Sequence, residues 1–215
     1  MSHTGEFDAA LRRCPLIAIL RGVAPDEVVA IGEALVDAGF HLIEVPLNSP
    51  QPLESVARLA DALARRALVG AGTVLRASEV AAVQAAGGAM IVSPNANRDV
   101  IDASARAGLV SLPGVATPSE AFAALDAGAT ALKLFPAEGS SPAALKAMRA
   151  VLPAGVRVLP VGGITPESLA KWMQAGAAGF GLGSALYTPG LTPDAVAARA
   201  RNFIAALDAA RLPQT

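Results

Sequence analysis

Two side chains able to do covalent chemistry stand inside apolar runs of this sequence: Lys133 in ALKLFP and Glu44 in LIEVP. If both runs are strands, alternation sorts each of them into two faces. Leu132 and Leu134 take one face of the first run and leave Ala131, Lys133 and Phe135 on the other. In the second run Ile43, Val45 and Leu47 leave Leu42, Glu44 and Pro46 on the opposite face. Lysine and glutamate are therefore both expected to point inward. An apolar interior disfavours the ammonium form, and the free amine is a nucleophile towards carbonyls. A carboxyl group beside it can carry protons while a carbinolamine forms and collapses. The pair suits Schiff-base chemistry. A buried ion pair that only fills the interior is the competing reading, and its desolvation cost makes it weak evidence for stability.

Only three of the 17 basic residues are lysines. Lys146 in ALKAMR and Lys171 in LAKWMQ fall in helical patterns and are expected on the solvated surface. With two histidines and one cysteine in the chain, a histidine-rich or cysteine-based metal site cannot be assembled. No metal and no cofactor are expected. His41 is read as a residue at a strand start and Cys14 as a small, partly buried one.

Other polar residues close apolar runs. Arg21 follows IAIL, and Thr73 ends GAGT. Further along, Val161-Gly162-Gly163-Ile164 runs into a helix start at Thr165, and Gly181-Leu182-Gly183-Ser184 follows a late apolar run. Glycines at such turns let backbone N–H groups approach an anion, and barrels commonly bind phosphate after strands seven and eight. Tight turns alone would also use them.

The elements that must position these groups are legible as a repeat. Ala-Gly follows a helix-like stretch at Gly39, Gly87, Gly108, Gly128 and Gly176, giving a unit of roughly 20 to 26 residues. Each unit has an alanine-rich amphipathic stretch, a glycine suited to a left-handed cap and a short apolar run. Eight such runs are present: 16–20, 41–47, 67–72, 89–93, 109–113, 131–135, 156–161 and 179–183. Helix starts are marked by a capping box at Thr117-Pro118-Ser119-Glu120 and by Thr165-Pro166-Glu167. Near-continuous apolar strands imply a parallel sheet buried on both faces. The pattern predicts an α/β fold, a single (β/α)8 TIM barrel domain over 1–215, with a doubly wound open sheet as alternative. Residues 1–13 are read as an N-terminal helix or flap and 192–210 as a final helix.

Composition excludes several other classes. The 215 residues are 53% hydrophobic and 16% charged, with a formal net charge of -1, which is incompatible with disorder and lacks the basic footprint of a nucleic-acid binder. The longest uncharged runs are broken by proline and glycine, so no membrane span is expected, and the first residues lack the apolar core of a secretory signal. A cytoplasmic protein is the expectation.

In order along the chain, IAILRG, IEVPLNSP, VGAGTVL, IVSPN, LPGVATPSE, ALKLFPAE, VGGI and GLGS closely resemble the 2-keto-3-deoxy-6-phosphosugar (KDPG/KHG) aldolases, class I enzymes sharing a small trimeric (β/α)8 barrel. The resemblance implies that Lys133 forms the Schiff base and Glu44 is the general acid/base. Arg21 and Thr73 would hold the keto-acid end, while Gly162, Gly163, Gly183 and Ser184 would surround the phosphate. EVPLNSP and VGGI depart from the E-V-T-L-R-T and T-G-G-I of the 6-phosphogluconate branch. Asn48 thus stands for an arginine and Val161 for a threonine, as in the 6-phosphogalactonate branch. Valine removes a hydroxyl near C4 that could bond one substrate epimer. The implied reaction is cleavage of 2-dehydro-3-deoxy-6-phospho-D-galactonate to pyruvate and D-glyceraldehyde 3-phosphate. The gluconate epimer, 4-hydroxy-2-oxoglutarate and, more distantly, a phosphosugar isomerase or epimerase reaction are the alternatives. A homotrimer is implied by the resemblance alone.

Overall fold

The computed structural model describes residues 3–211; positions 1, 2 and 212–215 of the expected 1–215 domain lie outside the described residues. All eight apolar runs contain strands: β1 (Leu16–Ile19), β2 (Leu42–Pro46), β3 (Leu68–Gly72), β4 (Met90–Val92), β5 (Val110–Leu112), β7 (Leu132–Leu134), β8 (Val158–Pro160) and β9 (Phe180–Leu182). A short further strand, β6 (Gly114–Val115), continues β5 beyond Pro113. Proline has no N–H to give to a ladder, so the sheet divides there. One arc has the order β5-β4-β3-β2-β1-β9 and the other β6-β7-β8, with every pairing parallel. The arcs touch at both margins: Val161 bridges Gly181 in parallel, and the Ser111 carbonyl accepts from the N–H groups of Thr130 and Ala131.

Helix α1 (Thr4–Arg13) precedes the first strand, and the other helices cover the outside: α2 (Val28–Asp37), α3 (Pro52–Ala62), α4 (Ala77–Ala85), α5 (Arg98–Arg106), α6 (Pro118–Asp126), α7 (Pro142–Val151), α8 (Leu169–Gln174) and α9 (Pro193–Arg211). All five repeat glycines have positive φ, as caps that reverse the chain into the next strand require. Thr117 and Glu120 form the expected reciprocal capping box on α6. At Thr165 the chain differs from expectation, because Pro166–Ser168 makes a 3-10 turn before α8 begins.

Alternation divides the core in two. Leu16, Ala18, Ile43, Val45, Val69, Ala71, Ile91, Leu132, Leu134, Phe180 and Leu182 belong to the cluster between strands and helices. Ile17, Leu42, Met90, Val92, Val110, Leu112, Ala131 and Leu159 form an inner cluster, joined by Phe7, Ala10 and Leu11 of α1. Helix α1 therefore plugs the end of the sheet at which the strands start, anchored by Asp8 to Arg157 at 2.9 Å. Read as a flap, this segment would sit over the opposite end; its apolar face instead binds it to the strand-start end.

Candidate functional site

Lys133 and Glu44 occupy inward positions on β7 and β2, as alternation requires, and are 6% and 2% exposed. Burial is the main influence on both. It pushes the Lys133 amine below the ordinary lysine range, an effect opposed by the Glu44 charge and reinforced by Arg21. It pushes the Glu44 carboxyl up, opposed by Lys133 and then Arg21. Moving one proton from the ammonium to the carboxylate leaves the pair's net charge unchanged, so an amine beside a carboxylic acid is accessible without taking a proton from solvent. The Lys133 Nζ lies 4.6 Å from the centroid of the Phe135 ring, where the π face offsets part of the desolvation of a cation.

Glu44 has room because Gly72, on the neighbouring strand, has no side chain. A Cβ at Gly72 would stand 1.4 Å from Glu44 Oε2. That oxygen is buried and has no hydrogen-bond partner among the described residues. A buried carboxyl oxygen left open is costly unless a ligand or water completes it. Next along the chain, Thr73 adopts a left-handed conformation with φ 56, uncommon outside glycine.

Seven of the nine residues singled out from the sequence, Arg21, Lys133, Val161, Gly162, Gly163, Gly183 and Ser184, line one cavity of about 390 Å³ at the carboxyl ends of the strands. Glu44 and Thr73 do not line it; Glu44 is joined to the group through its charge interaction with Lys133, and Thr73 through Gly72. Arg21 is exposed at the rim and donates from Nη1 to Asn48 Oδ1 at 2.9 Å. The N–H of Gly22 likewise donates to Ser49 Oγ at 2.9 Å, so the loops after β1 and β2 are locked together.

At the other side of the cavity, the N–H groups of Gly163, Ile164, Ser184 and Ala185 meet no acceptor among the described residues. The turn holding Ser184 is closed by the Gly183 carbonyl, which accepts from Leu186 and Tyr187. Tyr187 is buried and its hydroxyl donates to Glu27 Oε1 at 2.8 Å, tying this last loop to the one after β1. Such a set of free donors is suited to an anion.

Gly72, Phe135 and Glu138 are among the residues of the site not assigned to it from the sequence, as are Ile164 and Ala185 of the cradle. Gly72 was read as part of a strand, although a strand glycine signals close approach by another group. Phe135 was placed on the inner face but given no task. Glu138 lines the cavity from the 3-10 turn Ala137–Gly139, where no periodicity exists to give its direction. His41 donates from Nδ1–H to the Arg66 carbonyl at 3.0 Å, and burial pushes the Cys14 thiol up to about 11. Neither reaches the cavity. Hollows beside α1, one of about 450 Å³ lined by Asp8, Arg12, Arg157 and Arg211, lie at the strand-start end, away from the buried amine.

Arg21 gives the site a testable pH signature. Its charge lowers the pKa of both Lys133 and Glu44, so Arg21→Gln should let both rise. At a fixed pH a smaller fraction of Lys133 is then free amine. The acid limb of pyruvate trapping by borohydride is expected to move to higher pH, and to move less at high salt because Arg21 is exposed. A limb that stays in place or moves down would contradict the assignment.

A free amine and a proton-carrying carboxyl group, set next to an anion cradle, support carbonyl addition and carbon–carbon bond cleavage, the work of a lyase. Residues 7–200 match the family model described as "Aldolase: KDPG and KHG aldolase", and the chain belongs to that family. It is 48% identical to the 2-dehydro-3-deoxy-6-phosphogalactonate aldolase of Escherichia coli K12 over 194 residues, 90% of this chain and 95% of that one. A solved structure described as native KDPGal superposes with a TM-score of 0.91 at 48% identity, covering 92% of this chain and 96% of the other. The KDPG aldolase of Legionella pneumophila, solved with pyruvate captured as a covalent carbinolamine intermediate, superposes with a TM-score of 0.79 at 28% identity, covering 90% and 95%. The chain is thus an aldolase, a carbon–carbon lyase.

Proposed function

We propose that this aldolase cleaves 2-dehydro-3-deoxy-6-phospho-D-galactonate to pyruvate and D-glyceraldehyde 3-phosphate, with Lys133 as the Schiff-base residue. The observation that carries the reading is the buried Lys133, which lines the cavity, with the buried Glu44 coupled to it by charge. The Lys133 amine adds to the C2 ketone, and loss of water gives an iminium. Glu44, as carboxylate, takes the C4 hydroxyl proton as the C3–C4 bond breaks and its electrons pass to the iminium. The aldehyde leaves, C3 of the enamine takes a proton back from Glu44, and water releases pyruvate. Pairing with Asn48 keeps Arg21 at the rim, where it holds the keto-acid carboxylate; Thr73, set behind the cavity wall beside Gly72, is given the same end by the family resemblance. Gly162, Gly163, Gly183 and Ser184 receive the phosphate.

The choice of C4 epimer rests on Val161, which lines the cavity and whose methyl groups fill the space a side chain on Gly181 would need. Valine offers no hydrogen bond to a C4 hydroxyl, whereas threonine of similar volume would. Assayed on the two C4 epimers, the protein is expected to prefer the galactonate phosphate, and Val161→Thr to raise kcat/KM for the gluconate phosphate by about tenfold. Preference for the gluconate epimer in the unaltered protein would overturn the substrate assignment.

The same reading takes the chain as one domain whose two arcs close into an eight-stranded barrel, supported by the margin contacts at Val161 and Ser111. Exposed Leu53, Leu75, Phe122 and Val151 are apolar surface available to a homotrimer. The proposed compartment is the cytoplasm, consistent with a single buried cysteine; among the described residues no helix is long and apolar enough to cross a membrane.

A further inference from the structure

The Gly162 and Gly163 corner of the cavity is covered by a side chain. Glu138 folds back from the turn after β7 so that its carboxyl group lies against both glycines. A Cβ on Gly162 would stand 2.0 Å from Glu138 Oε2, and one on Gly163 would stand 2.7 Å from its Cγ. Both glycines also have positive φ, 110 and 61, so their lack of a side chain serves the turn and the glutamate together. Glu138 is exposed and has no ion pair or side-chain hydrogen bond among the described residues. An acidic group with no cation beside it therefore rests on the rim of a cradle whose N–H groups at Gly163, Ile164, Ser184 and Ala185 are unpaired.

A phosphate and a carboxylate cannot share that corner, because like charges a few ångströms apart repel and the Glu138 carboxyl group fills the space over the two glycines. We propose that Glu138 is a specificity-determining placeholder: its carboxylate covers the cradle in the free protein and swings to solvent when a phosphate ester arrives. The proposal rests on the reading of the cradle as a phosphate site. Free inorganic phosphate must displace the glutamate with its own affinity alone. A phosphate ester tethered to a keto acid already held at Lys133 is delivered at high effective concentration, so it meets the same obstacle with far more binding energy behind it. Glu138 thereby lowers occupancy by small free anions while leaving the cradle open to a two-ended ligand.

The test is calorimetric titration of inorganic phosphate into the full chain at constant ionic strength, for the unaltered protein, Glu138→Gln, Glu138→Asp and Ser184→Ala. Loss of one like charge should lower the Kd for phosphate by about tenfold in Glu138→Gln. Glu138→Asp, which keeps the charge on a shorter stem, should fall between. Because displacing the glutamate weakens every ligand that enters the cradle by one factor, KM for the phosphorylated substrate should fall together with the Kd for phosphate, while the concentration dependence of pyruvate trapping at Lys133, which leaves the cradle empty, should not move; a merely structural role would move pyruvate as well. If Ser184→Ala weakens phosphate while Glu138→Gln binds it no more tightly than the unaltered protein, the placeholder is overturned and the cradle stands. If phosphate binding is indifferent to Ser184→Ala, or absent from every variant, the cradle reading falls and the placeholder with it.

Discussion

Replacing Lys133 by methionine should reduce turnover by at least about 10⁴-fold, because no second amine can take its place and covalent catalysis is lost with the nucleophile. Lys146 and Lys171 are exposed on helices α7 and α8 and do not line the cavity. The variant should remain folded. Methionine fills the space of a lysine side chain without needing a charged head solvated, and its flexibility suits an irregular interior. Glu44 then loses a partner whose charge favours its ionised form, so its carboxyl group shifts further up and is neutral over a wider pH range. A neutral carboxylic acid is far cheaper to bury than an unpaired carboxylate. Circular dichroism melting should therefore show a Tm near that of the unaltered protein. Steady-state assays that retained activity in a folded Lys133→Met protein would remove Lys133 from the reaction.

The second large effect concerns Glu44 and can be reached by two independent routes. Glu44→Gln keeps the shape and removes the ability to take a proton, and should lower kcat by about 10²- to 10⁴-fold, the usual contribution of general acid–base catalysis. Gly72→Ala leaves Glu44 in the sequence but puts a Cβ where Oε2 now lies. Gly72 does not have a positive φ, so alanine meets no backbone penalty there, and the displaced carboxyl group is the main consequence. A loss approaching that of Glu44→Gln is expected. Rapid-quench measurement of the cleavage step in both variants checks the pair. A Gly72→Ala protein with full activity would show that the position of the carboxyl group seen here is not the one used in catalysis.

These effects could be anticipated to different degrees from the sequence. Strand alternation correctly separated Leu132 and Leu134 from Lys133, and Ile43 and Val45 from Glu44, because burial on two faces leaves no freedom in register. The order of motifs also led to the family, which the match over residues 7–200 establishes. What escaped was contact between elements that carry no period. The space above Gly72 depends on the cross-strand register of β2 and β3, in which Pro46 stands opposite Gly72. The direction of Glu138 is set by a three-residue turn, and the seat of α1 by which end of the inner cluster has room for Phe7 and Leu11. The division of the sheet at Pro113 was readable in principle, since the missing N–H is a property of the residue itself.

Catalysis depends on one bond, between Nζ of Lys133 and the carbonyl carbon of a keto acid. Incubation with pyruvate and sodium borohydride, followed by proteolysis and mass spectrometry, should find a reduced pyruvyl adduct on the peptide containing Lys133 and on neither Lys146 nor Lys171. Lys133→Met should give none. No adduct in the unaltered protein, or one confined to Lys146 or Lys171, would contradict the central claim.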